Sequence, residues 1–454
     1  MTRALLLRPQ YPYGVKQVWM PMDLIKVASK FNSINIESKI VDLNIENKPE
    51  NISQYDYVGF GVMGPPYIPS TQELFREIKS TTNKPILIGG PGVEHFSEQE
   101  FKVLYPGAIQ IANDVDFTKV IGKTVSSYDS SIVSILANMS ANIKQEYLSN
   151  EFSFFVSQGC KYSCDFCAAL RSTPKNPVRE KFSSIMQEDL EAICLDAKSF
   201  NIEELSMYLS SLDLFQTPKK FLETLKIFSE TSHKYDIKFN LRGLSRVDSF
   251  LNALDQEKEF YEFIPRAGLK IVGFGIDGTT EKVWKSQHKG IINLSSADKA
   301  YRLCDQLDIV PEALLVMGFH DKNGMPVDTS ESLKKNVEYA LDRSEKYNVV
   351  IRPHVAKDMI PGNNGWNNPV WLKQKSFLLE NPKYFKNLDY VALASKLTHP
   401  DEEFRNKVND AYLQIIQQLS PNNKCVTKPL LSYSGDESYD KIVDTFNMLI
   451  PSDR

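Results

Sequence analysis

Val156-Ser157-Gln158-Gly159-Cys160-Lys161-Tyr162-Ser163-Cys164-Asp165-Phe166-Cys167 is the stretch whose reading decides the fold. An apolar, strand-like run ends in a glycine, and three cysteines follow in the spacing C-x3-C-x2-C. Three thiolates so close together can wrap one compact cluster on a short loop. An iron–sulfur cube normally takes four cysteines, so a loop that supplies three leaves one iron open to a ligand from outside the protein. The competing reading is a structural zinc knuckle. Zinc asks for a closed tetrahedron of four N/S ligands, and the nearest histidines in the sequence are His95 and His233. The other cysteines, Cys194, Cys304 and Cys425, are scattered singly. That pattern excludes a disulfide framework and points to a reducing compartment.

Outward from the loop, composition sets the class. The chain has 454 residues, 42% hydrophobic and 24% charged, with a formal net charge of -4. It is too long for one typical core, so two or three domains are expected. No broad basic field offers itself to nucleic acid. No run of eighteen apolar residues predicts a membrane span, and the apolar run in Met1–Pro9 is too short for a signal peptide. A soluble, cytoplasmic protein is expected.

Residues 1–125 alternate strand and helix patterns, which predicts a Rossmann-like parallel α/β sheet. Strands are expected at Ala4–Leu7, Ile36–Val41, Tyr57–Val62 and Pro85–Ile88, with helices at Met22–Phe31 and Thr71–Ser80. Gly64, Gly89 and Gly90 follow strand ends, where backbone can approach a ligand at the carboxyl edge of such a sheet. Tight turns alone would also account for them. Residues 126–150 read as a helical connector. From 151 to 360 strands and helices alternate again, as in a partial TIM-type (β/α)6 barrel. Residues 361–454 read as a mostly helical cap whose aromatics, Trp366, Trp371, Phe377 and Tyr384, are expected in a core.

The cysteine loop, with aromatic Phe166 ahead of the third cysteine, resembles the signature of the radical S-adenosylmethionine (SAM) enzymes. The α/β segment before it resembles the cobalamin-binding domain of one large class of that family. Two departures stand out: the motif D-x-H-x-x-G is absent, and the acidic Gly-Glu pair of the class is replaced in Ala108-Ile109-Gln110-Ile111-Ala112-Asn113. The resemblance implies a 4Fe-4S cluster on Cys160, Cys164 and Cys167, with SAM on the open iron. Cobalamin binding and a degenerate, purely structural domain both stay open.

Barrel enzymes work at the carboxyl ends of their strands. There the resemblance implies SAM contacts for Asp213, in Ser211-Leu212-Asp213-Leu214-Phe215, and for Arg242 and Arg246 in Arg242-Gly243-Leu244-Ser245-Arg246. It implies another for Asp277 in Gly275-Ile276-Asp277-Gly278, with Lys289-Gly290 following. An aspartate there can equally cap a helix, and the arginines can equally make surface ion pairs. His320, in Gly318-Phe319-His320, is a candidate acid–base group; His354 and Lys357 are candidate substrate contacts.

The implied function is reductive SAM cleavage to a 5′-deoxyadenosyl radical that takes hydrogen from a small molecule, with cobalamin-dependent C-methylation foremost. A dehydratase, deoxygenase or oxidoreductase with a vestigial cobalamin domain is the second reading. A non-catalytic metal-binding interaction protein is the third. The electron donor would be a flavodoxin or ferredoxin. No cysteine precedes Cys160, which sets methylthiotransferases aside.

Overall fold

Leu5-Leu6-Leu7 is apolar without alternation, as a strand covered on both faces must be, and all three side chains are buried. The run forms β1 (Arg3–Arg8), an inner strand of a five-stranded sheet in the computed structural model. The structure describes residues 2–11, 18–123, 131–168, 178–289, 294–357, 360–363, 365–389, 399, 401–422 and 424–425. The start of the expected connector (126–130), Gly290 and the end of the expected cap (426–454) lie outside them.

In the first sheet β1 is flanked by β2 (Glu37–Asp42) and β3 (Tyr57–Gly61), followed by β4 (Ile86–Gly89) and β5 (Ile109–Ile111). All are parallel, in the order β2-β1-β3-β4-β5. Strand order reverses between β1 and β3, the place where open α/β sheets bind ligands. Helices α1 (Met22–Ser33), α2 (Ile68–Thr81) and α3 (Glu98–Leu104) cross between strands, and α4 (Asp114–Ile121) follows β5. Serine caps α3 through a capping box with Glu100, which fixes where that helix starts.

Two short helices, α5 (Val133–Asn138) and α6 (Ala141–Leu148), lead into β6 (Phe152–Phe155). A second sheet then builds in the order β13-β12-β11-β10-β9-β6, all parallel. A two-residue antiparallel ladder, β7 (Ser157–Gln158) with β8 (Arg179–Glu180), brackets the cysteine loop. The remaining strands are β9 (Glu204–Ser210), β10 (Lys238–Ser245), β11 (Leu269–Gly275), β12 (Val310–Met317) and β13 (Val350–Val355). The helices between them are α7 (Ser183–Ser199), α8 (Pro218–Tyr235), α9 (Val247–Gln256), α10 (Phe260–Ala267), α11 (Glu281–Ser286), α12 (Leu294–Gln306) and α13 (Ser330–Lys346).

Alternation along these strands sorts the two faces. Leu205, Met207, Leu209, Phe239, Leu241, Val272, Phe274, Ala313 and Leu315 are buried in one apolar core with Leu190, Ile193, Leu225, Phe228 and Phe250 of the helices. The alternate residues are mixed, with Ser206, Tyr208, Asn240, Arg242, Glu312, Arg352 and His354 beside Leu244, Ile271, Leu314 and Val316. Arg352 bonds Glu312 at 2.8 Å, and Arg242 lies 4.9 Å over the Tyr208 ring. The sheet is thus covered by helices on one side and carries a mixed face with the part-buried Arg352–Glu312 pair on the other.

The segment after β13 divides. Trp366, Trp371, Leu378, Tyr384 and Phe385, around α14 (Leu372–Glu380), join the core of the first sheet with Phe60, Phe75, Phe96 and Tyr105. The aromatics there are core residues. Helix α15 (Glu402–Leu419) instead buries Phe404, Val408, Tyr412 and Ile415 in the core of the second sheet. Among the described residues no helix is long and apolar enough to cross a membrane.

Candidate functional site

The chain leaves β6 through Ser157, whose hydroxyl meets that of Ser211 at 2.7 Å, and turns at Gly159, φ 91°. That backbone region favours glycine. Gln216 grips the turn. Its Nε2 donates to the Gly159 carbonyl at 3.1 Å, and its Oε1 accepts from the Lys161 N–H at 3.3 Å. Further on, the Cys167 N–H donates to the Cys164 carbonyl at 3.2 Å. The Asp165 N–H donates to the Gln287 carbonyl at 3.0 Å, and its carboxylate meets His288 Nδ1 at 2.7 Å. Phe166 packs on Phe319 at 5.5 Å between ring centres. The loop is therefore held at both ends and in its middle.

Cys160, Cys164 and Cys167 are all half-buried. Burial pushes the Cys160 thiol pKa up, with Asp213, Cys167 and Cys164 adding to the shift. Ligation by a cation reverses that penalty, because a bound metal takes thiolates. Among the described residues no three His, Cys, Asp or Glu side chains converge closely enough for a single metal ion. The donor set is three thiols on one loop, which suits a cluster that spreads its ligands over several irons.

Two cations stand beside the thiols. Arg246, just past β10, stacks on the Tyr162 ring at 3.9 Å and brings Nη1 within 4.0 Å of Cys164 Sγ. Asp248 holds the guanidinium at 2.9 and 3.2 Å, and Nη2 donates to the Lys289 carbonyl at 2.8 Å. Lys289 is buried, donates to the Gly275 carbonyl at 2.7 Å and pairs with Asp277. Burial, then the neighbouring Arg246, lowers its pKa, while the Cys164 and Cys167 sulfurs pull the other way. Asp277 adopts φ 48°, a left-handed conformation that turns the chain off β11 and puts its carboxylate at the lysine.

Asp213 is 1% exposed and works for the scaffold. It caps a short turn through the Phe215 N–H at 3.3 Å and accepts from Ser245 at 2.9 Å, Ser249 at 2.6 Å and the Arg246 N–H at 3.4 Å. Ser249 in turn meets the Tyr162 hydroxyl at 3.2 Å. Burial raises the Asp213 pKa against those bonds.

The other expected site residues fall in different places. Arg242 forms a two-pronged contact with Glu151, ahead of β6 and at the opposite end of that strand from the cysteines. His320 is buried, its ring against Trp371, Phe404 and His399. His354 lies beside Val316 in the ladder, two residues beyond Arg352 on the mixed face. Lys357 follows β13, and its carbonyl accepts from Asn363 at 2.5 Å. In the first sheet, a Cβ at Gly90 (φ 105°) would lie 2.7 Å from the Val62 carbonyl, and one at Gly89 2.8 Å from that of Ile111. Close strand packing accounts for both. Gly64 is extended, and a Cβ there would meet only Pro66, at 3.6 Å, among the described residues.

Several neighbours carry no sequence signal. Gln216, Gln287 and His399 sit in connections without a motif. Lys289 was visible only as a residue trailing the Gly275–Gly278 element, and its burial beside Asp277 gives it a role that spacing could not.

At the reversal point of the first sheet, Arg8 is 1% exposed and bonds Asp42 at 2.9 Å, which also accepts from Tyr147 at 3.0 Å. Its Nε and Nη2, and Asp23 Oδ1 nearby, are buried with no hydrogen-bond partner among the described residues.

No family model and no curated protein matches the chain. Solved structures do. The radical SAM methyltransferase TsrM from Kitasatospora setae, with cobalamin and a 4Fe-4S cluster bound, aligns with a TM-score of 0.57 at 15% identity, over 78% of this chain and 72% of that one. The cobalamin-dependent SAM radical enzyme OxsB, with aqua-cobalamin and SAM bound, aligns with a TM-score of 0.57 at 17% identity, over 85% of this chain. The match spans 56% of OxsB. The chain has the fold of these radical SAM enzymes.

Proposed function

We propose that the chain is a radical SAM enzyme that acts on a small molecule, with cobalamin-dependent C-methylation as its reaction. The observation that carries this is one constellation: three half-buried thiols on one loop, with Arg246, Lys289 and Asp277 around them, at the carboxyl edge of the six-stranded sheet. When bound, the cluster supplies an electron to the SAM sulfonium, which releases a 5′-deoxyadenosyl radical, and methylcobalamin supplies a methyl group.

The chain's own part is to bind, orient and exclude. Cys160, Cys164 and Cys167 hold the cluster. Arg246 and Lys289 offer cations to the SAM carboxylate, as guanidinium and ammonium groups do in such contacts, and Asp277 offers a carboxylate to its ammonium. The aromatic pair Phe166 and Phe319 covers the loop with Val283, Val327 and Ala356, keeping water from its flank. His354 and Lys357 come from the β13 end toward the substrate. Arg246 also sits where its charge steadies a thiolate.

For cobalamin, support comes from the buried Arg8 Nε and Nη2 and Asp23 Oδ1 at the reversal point, which have no hydrogen-bond partner among the described residues. Buried polar groups normally find partners, and carboxamides at a corrin's rim both accept and donate. The packed Gly89 and Gly90 and the replaced Gly-Glu pair favour the second reading, a redox or elimination reaction on a vestigial domain. A low-potential flavodoxin or ferredoxin would deliver the electron.

The deciding experiment is anaerobic reconstitution with iron, sulfide and hydroxocobalamin, gel filtration, and an absorption spectrum. Retained cobalamin, with S-adenosylhomocysteine formed on turnover, supports methylation. Protein that cleaves SAM but retains no cobalamin moves the chain to the second reading.

A further inference from the structure

A line of hydrogen bonds runs from the cysteine loop to the C-terminal segment, and SAM binding as proposed uses none of it. It starts at the Asp165 N–H, which donates to the Gln287 carbonyl at 3.0 Å. The Gln287 side chain donates to the His320 carbonyl at 2.9 Å. The His320 ring places Nε2 3.2 Å from His399 Nδ1. A second link runs beside it through the Phe166 and Phe319 rings.

His399 is fully buried and has a seat made for it. Gly318 has φ 85°, and a Cβ there would lie 2.8 Å from His399 Nε2 and 2.9 Å from Val408 Cγ1. The turn Gly318-Phe319-His320 is fixed from its other side by Asp328, which accepts from the Gly318 N–H at 2.8 Å, the Phe319 N–H at 3.2 Å and Ser332 at 2.7 Å. Around the ring pair stand Trp371 and Phe404. Burial holds His399 neutral, so its Nδ1 makes one directed hydrogen bond. An apolar side chain would fill this seat at lower desolvation cost. The feature that distinguishes histidine here is direction.

We propose that His399 is a positioning residue for the cluster loop: through His320 and Gln287 it sets the backbone of Asp165 and the ring of Phe166, between the second and third cysteines. The C-terminal segment thereby becomes part of the site. This rests on the reading that Cys160, Cys164 and Cys167 hold a cluster.

The test compares reconstituted full-length wild type, His399→Phe and His399→Asn; the asparagine amide takes the place of Nδ1. Iron content, urea midpoint, electron paramagnetic resonance of the reduced cluster with and without SAM, and SAM cleavage are measured. His399→Phe is expected to load iron as wild type does, yet to lose part of the SAM-induced spectral change and to cleave SAM about ten-fold more slowly, the scale of a small misplacement. His399→Asn is expected to restore both. A His399→Phe protein identical to wild type overturns the proposal, and so does an equally impaired His399→Asn that folds normally, since bulk alone would then matter. If His399→Phe fails to fold, Gln287→Met cuts the same line elsewhere, and an unchanged spectrum there overturns it. Wild type that forms no cluster overturns the reading beneath it instead.

Discussion

Replacing Asp213 separates its work for the scaffold from any work on a ligand. In Asp213→Ala the cavity loses four acceptor contacts, from Ser249 (2.6 Å), Ser245 (2.9 Å), Phe215 N–H (3.3 Å) and Arg246 N–H (3.4 Å). Neither serine is orphaned, because Ser245 also donates to the Arg246 carbonyl at 2.9 Å and Ser249 meets Tyr162. The two amides lose only long bonds. A short bond to a carboxylate is worth about 1.5–3 kcal/mol and a neutral one about 1. Relief of the buried charge offsets part of this, so the expected loss is about 2–4 kcal/mol. Asp213→Asn keeps the Oδ1 contacts, and Ser249 can turn to accept from the new amide, so about 1 kcal/mol or less is expected.

The pH dependence has a definite sign. The Asp213 pKa is raised in the folded protein. The folded state then holds the proton more tightly than the unfolded chain. Its contribution is fully present below the unfolded carboxylate value and is lost as pH rises through the raised one. Wild type should therefore gain on Asp213→Asn as pH falls through that window. Anaerobic urea denaturation across the acidic range reads both effects. An Asp213→Ala protein within about 0.5 kcal/mol of wild type refutes the reasoning, as does an Asp213→Asn protein just as damaged.

Four further outcomes are expected. Alanine at Cys160, Cys164 or Cys167 should each abolish cluster loading by iron analysis, whereas Cys194→Ala, deep in α7, should alter stability and leave iron unchanged. Affinity for SAM should fall as pH rises through the lowered Lys289 pKa, since the neutral amine no longer attracts a carboxylate, and Lys289→Arg should flatten the titration measured by calorimetry. Gly90→Ala should cost about 2–3 kcal/mol in apo protein, through its positive φ and the Val62 carbonyl, with or without cobalamin present. Glu151→Gln, which breaks a part-exposed pair with Arg242, should cost no more than about 1 kcal/mol and leave SAM cleavage intact.

Most strands were legible because a strand covered on both sides carries an unbroken apolar run, as in Leu5–Leu7, and one buried on a single face alternates, as in Phe239-Asn240-Leu241. The cysteine loop was legible because cluster chemistry dictates its spacing. Side-chain direction was not. Arg242 follows the expected strand Ile237–Leu241, yet β10 runs on to Ser245, so Arg242 lies inside the ladder and meets Glu151, while Arg246, just past the strand, reaches Cys164. The pairing of His320 with His399 joins segments far apart in sequence, each with an ordinary local pattern. The aromatics from Trp366 to Phe385 were readable as core residues. That they cover the first sheet depends on a partner, Phe96, that no local periodicity names.

Anaerobically reconstituted protein, reduced with dithionite and given SAM, tests the central claim most directly through the 5′-deoxyadenosine it releases. The account predicts a 4Fe-4S electron paramagnetic resonance signal that SAM perturbs, together with 5′-deoxyadenosine that disappears in the Cys164→Ala protein. A wild-type chain that binds no cluster, or a Cys164→Ala protein that releases as much 5′-deoxyadenosine as wild type, would contradict it.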